Sequence, residues 1–216
     1  MKNLGNLFIL GDSYSTFQGY IPEGYEAWYW IPEEPRMDTD VTKVEETWWH
    51  ILLENIKANL LLNCSWSGTT ICNTGYEGSD CSDISFIARL DKLIEAGYFE
   101  ENHVDTFLVF GGTNDSWADA PVGELKYSDW TKSDLYQVLP AFGYLLHRLT
   151  TKLPDTRIIC VINTELKLEI HDAFLEACNK YGVETVELKG IAKDSGHPNI
   201  LGMSQIEEQV EKVLLS

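Results

Sequence analysis

A serine can cleave an ester only when a base takes its proton, a third group holds that base, and donors meet the developing oxyanion. Residue types for each part occur in short stretches of this 216-residue sequence. In "NLFILGDSYSTF" (6–17) an apolar run stops at Gly11, and Ser13 follows Asp12. In "IAKDSGHPNILG" (191–202) His197 sits in a loop bearing glycine and proline, and Asp194 precedes it by three residues. Across a turn, that spacing lets the carboxylate accept the imidazole Nδ1–H and leaves Nε2 to face a serine. It also suits a plain turn, with Asp194 capping backbone and His197 on the surface. His50, His147 and His171 fall in helical stretches and His103 in the polar "EENHVD" turn, so these four read as structural or surface residues.

Three donors for an oxyanion are on offer. The backbone N–H of Ser13 follows a strand, where amides at the start of a helical turn are unpaired. Gly68 in "NCSWSGTT" (63–70) presents an N–H with no side chain in the way. Asn114 in "FGGTND" (110–115) offers a side-chain amide after the Gly111-Gly112 turn. Removing one such donor from an esterase costs roughly 3–4 kcal/mol of transition-state stabilisation. Taken singly, each is equally an ordinary loop residue.

These residues need elements that bring them together. Five short apolar runs recur: 6–10, 59–64, 106–110, 157–162 and 183–188. The first four are nearly continuous in apolar character, as strands covered on both faces are. Amphipathic helical stretches lie between and after them, at 45–58, 83–97, 133–153, 164–182 and 199–215. Gly97 and Gly182 read as helix ends, and Pro140 predicts a kink or a start just before it. Alternating strands and helices give right-handed crossovers and a parallel sheet between two helix layers. Sites in such sheets form beyond the carboxyl ends of the strands. The segments carrying Ser13, Gly68 and Asn114 all leave the sheet at that edge.

Taken together, the blocks "GDSYS", "NCSWSGTT", "GGTND" and "DSGHPN" resemble, in order, those of the SGNH hydrolase superfamily, the GDSL-type esterases and lipases. The resemblance implies a three-layer α/β/α fold with a five-stranded, flavodoxin-like sheet. It also implies hydrolysis through an acyl-enzyme without a cofactor. In that reading Ser13 is the nucleophile, His197 the base and Asp194 its orienter, with Ser13, Gly68 and Asn114 as the oxyanion hole. Tyr14 stands where many relatives carry leucine and would alter the wall beside the nucleophile.

The chain reads as one domain, 1–216, with an aromatic-rich insertion at 18–44 that is long for the family. That insertion holds Tyr20, Tyr25, Trp28, Tyr29 and Trp30; the segment 115–132 adds Trp117, Tyr127 and Trp130. Tyr14, Trp28, Trp30 and Trp117 are the candidate substrate contacts. Flat aromatic faces suit a sugar ring, so short acyl (acetyl) esters of a carbohydrate or other small substrate are expected. A lipase, a thioesterase or an acyltransferase with the same triad is the alternative. So is a carbohydrate-binding protein without catalysis.

With 16 Lys+Arg against 34 Asp+Glu, the formal charge is −18. An anionic surface argues against nucleic acid and anionic lipid as partners. No apolar run approaches the roughly 20 residues of a membrane span. Asp12, Asp115, Asp194 and His197 lack the paired-histidine pattern of a metal hydrolase, and no basic neighbour makes Gly11 or Gly111 a phosphate loop. The five cysteines lack metal spacing; Cys64 and Cys160 read as core, while Cys72 and Cys81 are close enough in sequence to pair. The cytoplasm is the favoured compartment, with a mature secreted or periplasmic chain kept open.

Overall fold

The computed structural model describes residues 5–30 and 38–216. Part of the insertion expected at 18–44, residues 31–37, lies outside the described residues. Five strands form a parallel sheet: β1 (Asn6–Gly11), β2 (Asn59–Ser65), β3 (Thr106–Phe110), β4 (Arg157–Ile162) and β5 (Glu184–Glu187). Their order is β2-β1-β3-β4-β5. This is the flavodoxin-like order, whose direction of winding reverses between β1 and β3.

Successive side chains of each strand go to opposite faces, and both faces are covered. Phe8, Leu10, Phe107, Val109, Cys160 and Ile162 pack with α2 (Phe86–Glu95), α5 (Val138–Lys152) and α6 (Leu168–Tyr181). Leu7, Ile9, Leu108, Phe110, Ile159 and Val161 pack with α1 (Trp48–Ile56) and α7 (Ile200–Leu214). This two-sided burial is why the strands read as continuous apolar runs. Pro140 is the third residue of α5, where its missing N–H costs nothing, so the helix starts before it and is not kinked by it. Gly97 and Gly182 adopt left-handed φ of 72° and 68° and close α2 and α6, with the one-turn α3 (Tyr98–Glu101) following Gly97.

Register sets the level of the site. Gly11 at the end of β1 is opposite Ser65 of β2 and Phe110 of β3, so the three chains leave the sheet side by side. Gly11 is also required sterically. A Cβ there would lie 2.5 Å from Ser65 Oγ and 2.9 Å from Ser15 Cβ. After β5, a two-stranded hairpin, β6 (Lys193–Asp194) and β7 (His197–Pro198), returns over the same edge. Its turn residues Ser195 and Gly196 both have positive φ, 48° and 79°, as a tight two-residue hairpin turn demands. All five cysteines are free thiols, including Cys72 and Cys81. No helix among the described residues is long and apolar enough to cross a membrane.

Candidate active site

Ser13 opens a single 3₁₀ turn, Ser13–Ser15, directly beyond β1. Asp12 caps that turn by accepting the Tyr14 N–H at 3.1 Å. Asn63 Nδ2 donates to the Ser15 carbonyl at 2.7 Å, which fastens the turn to β2. Ser13 Oγ lies 2.9 Å from His197 Nε2, across 184 residues of sequence, and the two residues are only 3% and 6% exposed. His197 Nδ1 lies 3.3 Å from the carbonyl oxygen of Ser195. A carbonyl only accepts, so this contact places the imidazole proton on Nδ1 and leaves Nε2 to accept the Ser13 hydroxyl proton.

The hairpin departs from the arrangement expected for Asp194. Its carboxylate is exposed, and Oδ2 accepts from Asn199 Nδ2 at 3.0 Å. The reason is geometric. A two-residue turn sets Asp194 opposite His197 in the ladder, and while the imidazole turns in to Ser13 the carboxylate stays with the cap of α7. The Ser195 carbonyl, brought round by the turn, faces Nδ1.

The two further donor segments also come to this edge. Asn114 is nearly buried in the short helix α4 (Thr113–Trp117), donating Nδ2 to the Thr69 carbonyl at 3.0 Å and accepting from the Tyr76 hydroxyl at 2.7 Å. This fixes which way its amide points and ties it to the residue after Gly68. Gly68 is exposed with φ +76°, and a Cβ would meet nothing within 4 Å. Its positive φ is one that side chains rarely adopt, and the open space beside it leaves the N–H accessible. Neither the Ser13 nor the Gly68 N–H makes a hydrogen bond among the described residues.

Of the aromatic candidates, Trp28 stacks on the His197 ring with centroids 3.5 Å apart and planes 7° apart. Trp117 meets the same ring edge-on at 5.8 Å. Trp30 lines a cleft beside Trp28. Tyr14 as a substrate contact is corrected: its side chain is fully buried, and its hydroxyl donates to the Gly196 carbonyl at 2.6 Å. Burial of the phenol raises its pKa, so it stays a donor that props the histidine hairpin. Tyr29 does the same from the insertion, donating to the Pro198 carbonyl at 2.8 Å. Trp130 packs against Tyr144 and His147 on α5 and belongs to the loop core.

Sequence reasoning missed Arg89. Its guanidinium is buried on α2 and donates to the carbonyls of Gly11 (3.1 Å), Ile84 (2.9 Å) and Cys64 and to Thr69 Oγ1 (3.0 Å). It thereby joins the ends of β1 and β2 to the glycine loop. In sequence it is one arginine on an otherwise apolar helical face, a mismatch that is itself the signal. Two buried acids lie nearby. Burial pushes the Asp12 carboxyl up to about 7, against the lowering effect of the Tyr14 N–H and Arg89. Burial likewise pushes Asp115 up to about 6, opposed by the N–H groups of Ile71 and Cys72 that it accepts. Among the described residues no group of three His, Cys, Asp or Glu is placed to hold a metal ion.

A parallel sheet in this order, with a serine after its first strand paired to a histidine before its last helix, is the arrangement of the GDSL-type hydrolases. The chain belongs to the GDSL-like lipase/acylhydrolase family, whose pattern it matches over residues 5–214. It is similar to a protein described as a GDSL-like lipase from Bacteroides uniformis, at 46% identity and a TM-score of 0.90, covering 97% of this chain and 95% of that one. A second protein so described, from Bacteroides ovatus, shows 44% identity and a TM-score of 0.91 with 99% of both chains covered. A family two carbohydrate esterase from Clostridium thermocellum, in complex with cellohexaose, shares the fold at 19% identity and a TM-score of 0.64, covering 99% of this chain and 65% of that one. No curated protein matches the sequence.

Proposed function

We propose that this protein is a serine esterase that removes short acyl groups, acetyl above all, from a carbohydrate or similar small alcohol through an acyl-enzyme. The observation that carries the reading is the 2.9 Å contact between Ser13 Oγ and His197 Nε2. His197 takes the hydroxyl proton as Ser13 Oγ attacks the ester carbonyl, and the carbonyl oxygen becomes an oxyanion. The N–H groups of Ser13 and Gly68 and the Asn114 amide meet that charge. His197 then protonates the leaving alcohol oxygen as the C–O bond breaks. Water, deprotonated by the same imidazole, attacks the acyl-serine and releases the acid.

In this reading the Ser195 carbonyl keeps the imidazole proton on Nδ1, and Trp28 fixes the plane of the ring. The preference for a short acyl group rests on the burial of Ser13, which is only 3% exposed. A carbohydrate alcohol is supported by the aromatic cleft beside Trp28 and by the carbohydrate esterase that shares the fold.

The test is hydrolysis of p-nitrophenyl esters of increasing chain length by the native chain and by Ser13→Ala. Activity highest on acetate, lost in the variant, with a transient acyl adduct on Ser13 by mass spectrometry, is the expected result. A rate rising steadily toward long chains refutes the short-acyl preference. Sugar binding that survives Ser13→Ala, with no hydrolysis by either chain, identifies a binding protein instead.

A further inference from the structure

A cleft of about 810 Å³ opens beside the catalytic pair. That volume lies within the range of sites that enclose a small organic ligand. Its walls come from the first part of the aromatic insertion and from Ser67, the residue before Gly68. Trp28 is common to the cleft and to the reaction centre, since the indole that lines the cleft is stacked on His197.

The walls are held by backbone bonds to the catalytic segments. The Trp28 N–H donates to Thr16 Oγ1 at 2.8 Å, and the Thr16 hydroxyl donates to the Ser13 carbonyl at 2.9 Å. On the opposite side the Ser67 N–H donates to the Glu26 carbonyl at 2.9 Å. Within the insertion, the Gln18 N–H donates to the Tyr29 carbonyl at 2.9 Å. Tyr25 is stacked on Trp66 with centroids 4.1 Å apart, and Trp30 Nε1 donates to the Ala27 carbonyl. The cleft is thus preformed and in fixed register with the nucleophile.

The chemistry of the lining is selective. Trp28 and Trp30 bring flat apolar faces, Gln18 and Ser67 bring neutral polar groups, and Glu23 and Glu26 bring two carboxylates. No lysine, arginine or histidine is among the described residues that line it. Carboxylates accept strong hydrogen bonds from hydroxyl groups and repel anions. We propose that this cleft is the binding site for the alcohol half of the ester, an uncharged sugar ring, and that its two carboxylates exclude uronate and phosphate-bearing alcohols. The inference rests on the esterase reading of Ser13 and assigns the leaving group of that reaction a place and a charge.

The test compares three substrates: vinyl acetate, which is too small to use the cleft, a mono-O-acetyl methyl hexoside, and the corresponding acetylated uronate. Trp30→Ala is expected to raise KM for the acetylated hexoside about tenfold more than KM for vinyl acetate, the usual scale for losing an aromatic anchor. Trp30→Phe, which keeps a flat face, restores most of the loss. The native chain should favour the hexoside over the uronate at least about fivefold at low salt, and Glu23→Gln with Glu26→Gln should erase that preference. Unchanged hexoside KM in Trp30→Ala, or equal use of the uronate by the native chain, overturns the proposal while vinyl acetate turnover leaves the esterase reading standing. No turnover of vinyl acetate, together with no labelling of Ser13 by a fluorophosphonate, refutes the esterase reading and this inference with it.

Discussion

Replacing Arg89 with methionine tests whether the guanidinium holds the site edge together. Arg89 donates to three carbonyls and one hydroxyl, all uncharged, in a fully buried position. Hydrogen bonds from a charged donor contribute about 1.5–3 kcal/mol each, so four would amount to roughly 6–12 kcal/mol. Burying the guanidinium costs several kcal/mol, which offsets much of that sum. Some acceptors also keep a partner after the change: the Gly11 carbonyl still accepts from the Trp66 N–H at 3.2 Å, and the Thr69 hydroxyl still donates to the Trp66 carbonyl. A net loss of about 3–5 kcal/mol is expected, the scale seen when a buried charged network loses one member. Urea unfolding followed by tryptophan fluorescence gives this loss from the midpoint and slope. Arg89→Lys, which keeps the charge without the fork, should fall between the two. A loss below about 1 kcal/mol for Arg89→Met would refute the reasoning, because the four bonds would then be doing no more than repaying desolvation.

The raised carboxyl of Asp12 makes a pH prediction. Its folded value of about 7 exceeds the ordinary 3.8, so the folded chain holds this proton more tightly than the unfolded one. That contribution is full below about pH 4 and is lost as pH rises through 7. Asp12→Asn should therefore flatten the fall of stability between pH 4 and pH 8 by a few kcal/mol, read from urea midpoints, with Asp115 leaving a residual slope in the same direction. Asp194→Asn should lower kcat/KM less than about tenfold, whereas His197→Ala should lower it more than a hundredfold on any one ester. Gly11→Ala should destabilise by about 1–3 kcal/mol in thermal unfolding, because the new methyl meets Ser65 and Ser15. Gly202→Ala places a Cβ against the Ala192 carbonyl where α7 crosses the hairpin, so kcat should fall with Ser13 labelling slowed to match.

Much of the frame was legible. Each apolar run became a strand within a residue or two, because strands buried on both faces must be apolar throughout. Gly11 marked the end of a strand, Gly97 and Gly182 two helix ends, and Pro140 a kink or a helix start, of which the structure shows the start. Ser13 and His197 were singled out from the kind of segment that carries them, and the fold brings them within 2.9 Å of each other. Asp194 was misplaced because spacing alone does not say which side of a tight turn a carboxylate takes. Tyr14 was misplaced because an aromatic beside a nucleophile can face substrate or core, and burial decides.

The elements, their alternation, the parallel sheet and the residue types gathered at its carboxyl edge were readable directly from the sequence, since those follow from local periodicity and backbone preference. Tertiary structure alone decided that Arg89 bridges two strand ends and a loop, that Trp28 stacks on His197, and that a backbone carbonyl faces Nδ1. Such contacts join residues tens to nearly two hundred positions apart. They depend on the register of Gly11 with Ser65 and Phe110 and on the hand of one turn, and no local pattern encodes either.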